Sequence, residues 1–242
     1  MRSRRGIERT IEWGTFAALI VLLVVCAVFE FEQSSLIILL AAILANVPFF
    51  VHYERSHPKA REILPIVVMA AIATAGRLIF GPLPSFKPVS AIVIVTALAF
   101  GRRSGYMCGA LTALASNMFM GQGPWTPWQM VAWGMIGYVA GALRDHGALE
   151  RPIAVYVYGF VSPLVYGVLL DSWHIIGFVR PITWTSAILA YGAGLPFNLT
   201  HAVATVLFLI PILGPWTRKL ERVKRKFGLE ADLVRHNGEH IV

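Results

Sequence analysis

Apolar residues fall into eight runs, at about 13–29, 36–53, 63–80, 89–101, 104–120, 128–143, 152–173 and 183–212, with polar and charged residues collected in short segments between them. Most of these runs approach or exceed the ~18 residues that cross a bilayer as a helix. The pattern predicts an all-α fold, a polytopic membrane helical bundle. It divides into an N-terminus and accessory two-span hairpin (1–62), a core of six spans (63–214) and a basic tail (215–242). In the tail Leu220, Val223 and Phe227 recur at helical spacing among Arg and Lys, as in a short amphipathic helix on the inner membrane surface. The hairpin is mostly Leu, Val, Ile and Ala, with Asn46 its one polar residue at membrane depth, and this pattern assigns it no function. Its basic start resembles a signal peptide, but no small-residue cleavage site follows Phe29, so the segment is expected to be retained.

Composition agrees with the pattern. Of 242 residues 57% are hydrophobic and 14% charged, against roughly a quarter charged in soluble domains, and mean hydropathy is +0.66. Cys26 and Cys108 lie in apolar runs at no metal or redox spacing and read as small buried hydrophobes. No metal site or cofactor is implied. The net charge of +8 is segregated: alternate segments carry Arg2, Arg4, Arg5 and Arg9, then Arg55, Lys59 and Arg61, then Arg102 and Arg103, then Arg144 and Arg151, and finally the tail. The opposite segments hold only Lys87 and Arg180, and Arg77 lies within a span. Positive charge stays inside, so both termini are expected in the cytoplasm of a multi-pass inner (plasma) membrane protein. No reading motif accompanies the charge, which argues against nucleic acid as a partner.

Two outer connections are irregular. Val89 to Gly101 is 13 residues, about 20 Å of helix in a hydrocarbon layer of about 30 Å. The preceding Gly81-Pro-Leu-Pro-Ser-Phe-Lys-Pro88 cannot continue a helix, so it is expected to dip into the bilayer. Gly121-Gln-Gly-Pro-Trp-Thr-Pro-Trp-Gln129 has the same character. Non-helical backbone at membrane depth is tolerated where it lines a cavity, and interrupted spans point to a transporter's binding site.

In order over about 63–228, the core carries Ala70-Ala-Ile-Ala-Thr-Ala-Gly-Arg-Leu-Ile-Phe80, Phe86-Lys-Pro-Val-Ser-Ala91, Ala99-Phe-Gly-Arg-Arg-Ser-Gly105, Gly109-Ala-Leu-Thr-Ala-Leu-Ala-Ser-Asn117, Gly121 to Met130, and Leu195-Pro-Phe-Asn-Leu-Thr-His201. With these segments it resembles the substrate-binding S components of energy-coupling factor (ECF) vitamin transporters. The resemblance implies a six-span core that holds a vitamin near its outer face, and a complex with one transmembrane coupling protein and two cytoplasmic ATPases. It also implies that small residues on the first core span meet the coupling protein, here Ala71 and Ala75. Among S components the likeness is nearest to the cobalamin and corrinoid group. The N-terminal hairpin departs from the six-span pattern. The chain has no Gly-x-x-x-x-Gly-Lys-Ser/Thr phosphate loop, so ATP hydrolysis is assigned to partner subunits and the chain is not read as an enzyme.

Candidate ligand contacts are Arg77, Phe86, Lys87, Asn117, Gln122, Trp125, Trp128, Gln129, Asp171 and His174. Arg77 either snorkels to the interface or is buried with a partner; Asp171, the acid at the outer side of the core, is expected to pair with Arg77 or Lys87. Asp171 and His174 are one helical turn apart and share a face. Trp125 and Trp128, flanked by Gln122 and Gln129, suit an amphipathic, partly aromatic ligand, although tryptophans also collect in interfacial belts. Asn117, Tyr138, Tyr166, Asn198 and His201 lie deeper, where the alternative role is to tie helices together. A stand-alone permease and an intramembrane enzyme are the rival readings; no Gly-x-Ser-x-Gly or His-Glu-x-x-His supports the second.

Overall fold

The computed structural model describes residues 2–29, 33–55 and 60–226. The hairpin's turn at 30–32, part of the inner segment at 56–59, and Phe227 with the rest of the tail lie outside them. The described residues form eight helices and no strand: α1 (Arg2–Phe29), α2 (Ser34–Arg55), α3 (Ala60–Ile79), α4 (Val89–Phe100), α5 (Arg102–Met120), α6 (Thr126–Asp145), α7 (Pro152–Phe178) and α8 (Trp184–Lys226). Each apolar run has its helix. Five of them, α1, α2, α3, α7 and α8, are long and apolar enough to cross a membrane.

The other three form the centre. Helix α4, 12 residues and so about 18 Å long, is buried along its whole length except at Leu98. It is too short to span alone, and surrounding it with α3, α5, α6 and α8 shields both of its ends from lipid. The Gly81–Pro88 connection in front of it is a series of turns in which Ser85 takes a left-handed conformation (φ 56°).

Helices α5 and α6 pack with their backbones almost touching, because the seam is made of glycine. A Cβ on Gly109 would strike the Trp133 carbonyl, one on Gly137 the backbone of Gly105, and one on Gly141 the backbone of Arg102. Small residues allow this approach where no hydrophobic effect draws helices together. At the inner end Arg102 is not left to solvent. Its Nε donates to Asp145 at 3.0 Å, its guanidinium is ion-paired with the same carboxylate, and it lies 5.9 Å from the Tyr138 ring.

The hairpin is tightly joined to this centre. Phe49 stacks on Tyr106 at 3.7 Å, Phe16 stacks on Phe49 at 5.2 Å, and Trp13 meets Tyr138 edge-on at 5.4 Å. Buried Glu12 accepts hydrogen bonds from Arg103 Nε at 2.8 Å and from the Tyr138 hydroxyl at 2.6 Å. Helix α8 runs on through Pro211 and Pro215 to Lys226, and Leu220 packs on Ala99 and Phe100 at the end of α4; the rest of the expected basic tail lies outside the described residues.

Candidate functional site

Helices α3, α5 and α6 converge on a chain of polar side chains that runs from buried Arg77 and Asn117 out to exposed Gln122. Arg77, near the outer end of α3 and 7% exposed, donates from Nη1 to Asn117 Oδ1 at 2.7 Å and to Ser116 Oγ. Asn117 Nδ2 donates onward to Thr126 Oγ1 at 2.9 Å and to Gln129 Oε1 at 2.8 Å. Thr126 Oγ1 donates to Gln122 Oε1 at 2.8 Å, and Gln122 Nε2 ends the chain on the Leu114 carbonyl at 3.1 Å. The Pro127 turn makes this geometry possible: proline near the start of α6 needs no donor there, and the following turn presents Gln129 and Trp133 on one face at i, i+4 spacing.

Aromatic rings close one side. The Arg77 guanidinium lies 4.8 Å from the Trp133 ring, Trp133 packs on Tyr166 at 5.1 Å, and Tyr166 meets His201 edge-on at 5.1 Å. His201 Nε2 shares a hydrogen bond of 2.8 Å with Ser90. Lys87 folds back on its own loop and donates to the Leu83 carbonyl at 2.9 Å. Burial and the nearby Arg77 charge together hold its ammonium below the usual lysine range.

Two donors in this cluster, Arg77 Nε and Trp133 Nε1, are buried with no hydrogen-bond partner among the described residues, and so is the Thr74 hydroxyl one turn inward on α3. An orphaned buried donor costs roughly 1–3 kcal/mol. Among the described residues no carboxylate is bonded to Arg77 or Lys87. The site therefore has surplus positive charge and surplus donors beside flat π faces, and its chemistry suits an acceptor-rich planar ligand.

Of the residues singled out in the sequence, Arg77, Asn117, Gln122 and Gln129 meet in one hydrogen-bonded chain, with Lys87 close to Arg77. Phe86 is half-buried against Phe80 and Phe208. The others lie elsewhere. Asp171 pairs with neither Arg77 nor Lys87; it accepts from Asn198 Nδ2 at 2.8 Å, where α7 and α8 cross, because glycines at 167 and 194 let those two side chains nest between the helices. His174 is exposed and stacks on Phe178. Trp125 covers Gly123 on the outer surface. Trp128 is wholly buried on the hairpin side of α6, in one apolar cluster with Phe16, Phe49 and Tyr106. Sequence reasoning misses Trp133, Ser116 and Thr126. For Trp133 a signal exists in its spacing of four from Gln129.

A cavity of about 660 Å³ between α1 and helices α6–α8 reaches Tyr166 from the other side, but no charged residue lines it. It offers a polar vitamin little to bind. Eight helices in one bundle, five of them long and apolar enough to cross a membrane, put the chain in the class of multi-pass membrane proteins. The family model described as ECF-type riboflavin transporter, S component, matches residues 59–218, more than half of the 242-residue chain, and the chain belongs to that family. It is thus a substrate-binding transporter subunit of the membrane, not an enzyme. No curated protein and no solved structure matches it.

Proposed function

We propose that this S component captures a flat, acceptor-rich vitamin of the riboflavin type near its outer face. Delivery then runs through a complex with a transmembrane coupling protein and two cytoplasmic ATPases. The observation that carries the reading is the pair of orphaned buried donors, Arg77 Nε and Trp133 Nε1, in a site with a cation, no bonded carboxylate, and the Trp133 and Tyr166 rings alongside. A dioxopyrimidine edge brings carbonyl oxygens and ring nitrogens to such donors, and its fused rings stack on indole and phenol faces. The family's description names riboflavin. A corrinoid, the substrate group favoured on sequence likeness, is far bulkier and amide-rimmed, and a narrow chain whose members Arg77 and Asn117 are 7% and 1% exposed suits it poorly.

Calorimetric titration of the purified, ligand-free chain with riboflavin and with cobalamin tests the proposal. Saturable one-to-one binding of riboflavin is expected without ATP or partner. Binding of cobalamin alone would transfer the site to corrinoids. Co-purification of a coupling protein and two ATPases with the tagged chain is the expected result for the complex, and sustained uptake by the chain alone would favour a stand-alone permease.

A further inference from the structure

We propose that the N-terminal hairpin, which lies outside the matched family region apart from its inner connection, positions the binding site, and that Asn46 is the residue through which it acts. The inference rests on the riboflavin-type site proposed for Arg77 and its neighbours. Asn46 sits in the interior of α2 and is 6% exposed. Its Oδ1 accepts from the Tyr106 hydroxyl at 2.8 Å, and its Nδ2 donates to the Pro127 carbonyl at 3.3 Å and to the Ala42 carbonyl of its own helix at 2.7 Å. One amide thus joins three elements: the hairpin, α5 and the first turn of α6.

Pro127 matters because of its neighbours. Thr126 before it and Gln129 two residues after it both bond Asn117, which holds Arg77. Trp128, between them, is fully buried in the apolar cluster shared with Phe16 and Phe49 of the hairpin. The first turn of α6 therefore has two faces, one carrying the site and the other gripped by the hairpin. Movement of Pro127 would separate Gln129 and Thr126 from Asn117 and misalign Arg77. A side chain that acts through another in this way sets affinity without touching ligand.

The test uses the full chain in lipid nanodiscs, with Asn46→Leu, Asn46→Gln and Tyr106→Phe. Two quantities are read: amide hydrogen exchange of residues 123–130, where Thr126 and Gln129 amides are bonded at 2.9 Å to the Gly123 and Trp125 carbonyls, and riboflavin affinity per folded molecule. Asn46→Leu is expected to speed exchange in 123–130 but not in α4, and to weaken riboflavin roughly tenfold. Asn46→Gln, which keeps the amide, restores part of both, and Tyr106→Phe, which leaves the bond to Pro127, changes neither by more than about twofold. Unchanged exchange at 123–130 in Asn46→Leu overturns the proposal, as does an equal rise throughout the core, which would mean general loosening. If the unaltered chain ignores riboflavin while Asn46→Leu still loosens 123–130 selectively, the substrate assignment fails and the positioning role stands.

Discussion

Arg77 carries a charge into the membrane and receives no counter-charge from the described residues. Its two bonds go to neutral oxygens on Ser116 and Asn117, which compensate a guanidinium only in part. Stability and function should consequently part company here. Arg77→Met is expected to leave the thermal midpoint of the ligand-free chain unchanged or raised, while riboflavin affinity falls about ten- to hundredfold, the loss expected when a charged hydrogen bond is removed. A differential scanning measurement beside the titration reads both, and a fall in both together would make Arg77 structural. Half of this site is legible in the amino-acid sequence. Arg77, Asn117, Gln122 and Gln129 stand out because polar groups at membrane depth are costly and need a reason. Asp171, the acid at the outer side of the core, and Trp128, paired with Trp125 between two glutamines, stand out as well and are placed otherwise, because composition does not reveal which face of a helix a residue takes. The nearest acid need not pair with the nearest base: glycines at 167 and 194 admit Asn198 and Asp171 to each other first.

At the scale of elements, the α5–α6 seam and the hairpin clasp make separable predictions. Gly109 sits against the Trp133 carbonyl, so Gly109→Val must push the helices apart at the level of the site; overpacking of this kind costs typically 1–3 kcal/mol. It is expected to lower the denaturation midpoint and riboflavin affinity together, whereas Gly14→Ala, whose Cβ meets nothing within 4 Å, should alter neither. Glu12→Ala deletes an acceptor shared by Arg103 and Tyr138. Because Arg103 keeps partial access to water, a loss of about 1–3 kcal/mol is expected, measured by unfolding in mixed micelles, and no loss would mean that the aromatic stack and the Asn46 bonds hold the hairpin without it. Run lengths tell the helices apart well, including the short α4 that cannot span alone. The extent of α8 is not legible in the same way, since three internal prolines ordinarily argue for breaks; Leu220 packing beneath α4 is a tertiary effect that no local signal carries.

For the whole molecule, the orientation and the proposed coupling face are tested separately. The charge pattern puts Gly121 to Pro124 outside and Arg151 inside. Single-cysteine labelling in intact cells is expected at the first and not the second, and the reverse would invert the molecule and move the site to the cytoplasm. The hairpin covers the α5–α6 side of the bundle, whereas α3 keeps an uncovered stripe: Ala71 and Ala75 are exposed together with Leu64, Val67, Val68 and Ile72. Two small residues four apart let another helix approach closely, and Arg77 on the same helix points to the opposite, buried side. A substitution at Ala71 or Ala75 should therefore reach a partner without reaching the vitamin. Trp at both positions is expected to abolish uptake by cells that hold the coupling protein and ATPases, while riboflavin affinity of the purified chain stays within about twofold, because a bulky ring on that stripe meets lipid in the isolated subunit and a neighbouring helix only in the complex. Equal losses of uptake and affinity would instead mean that α3 transmits the change across its own width to Arg77, and the coupling face would have to be sought on the lipid-facing side of α7 and α8.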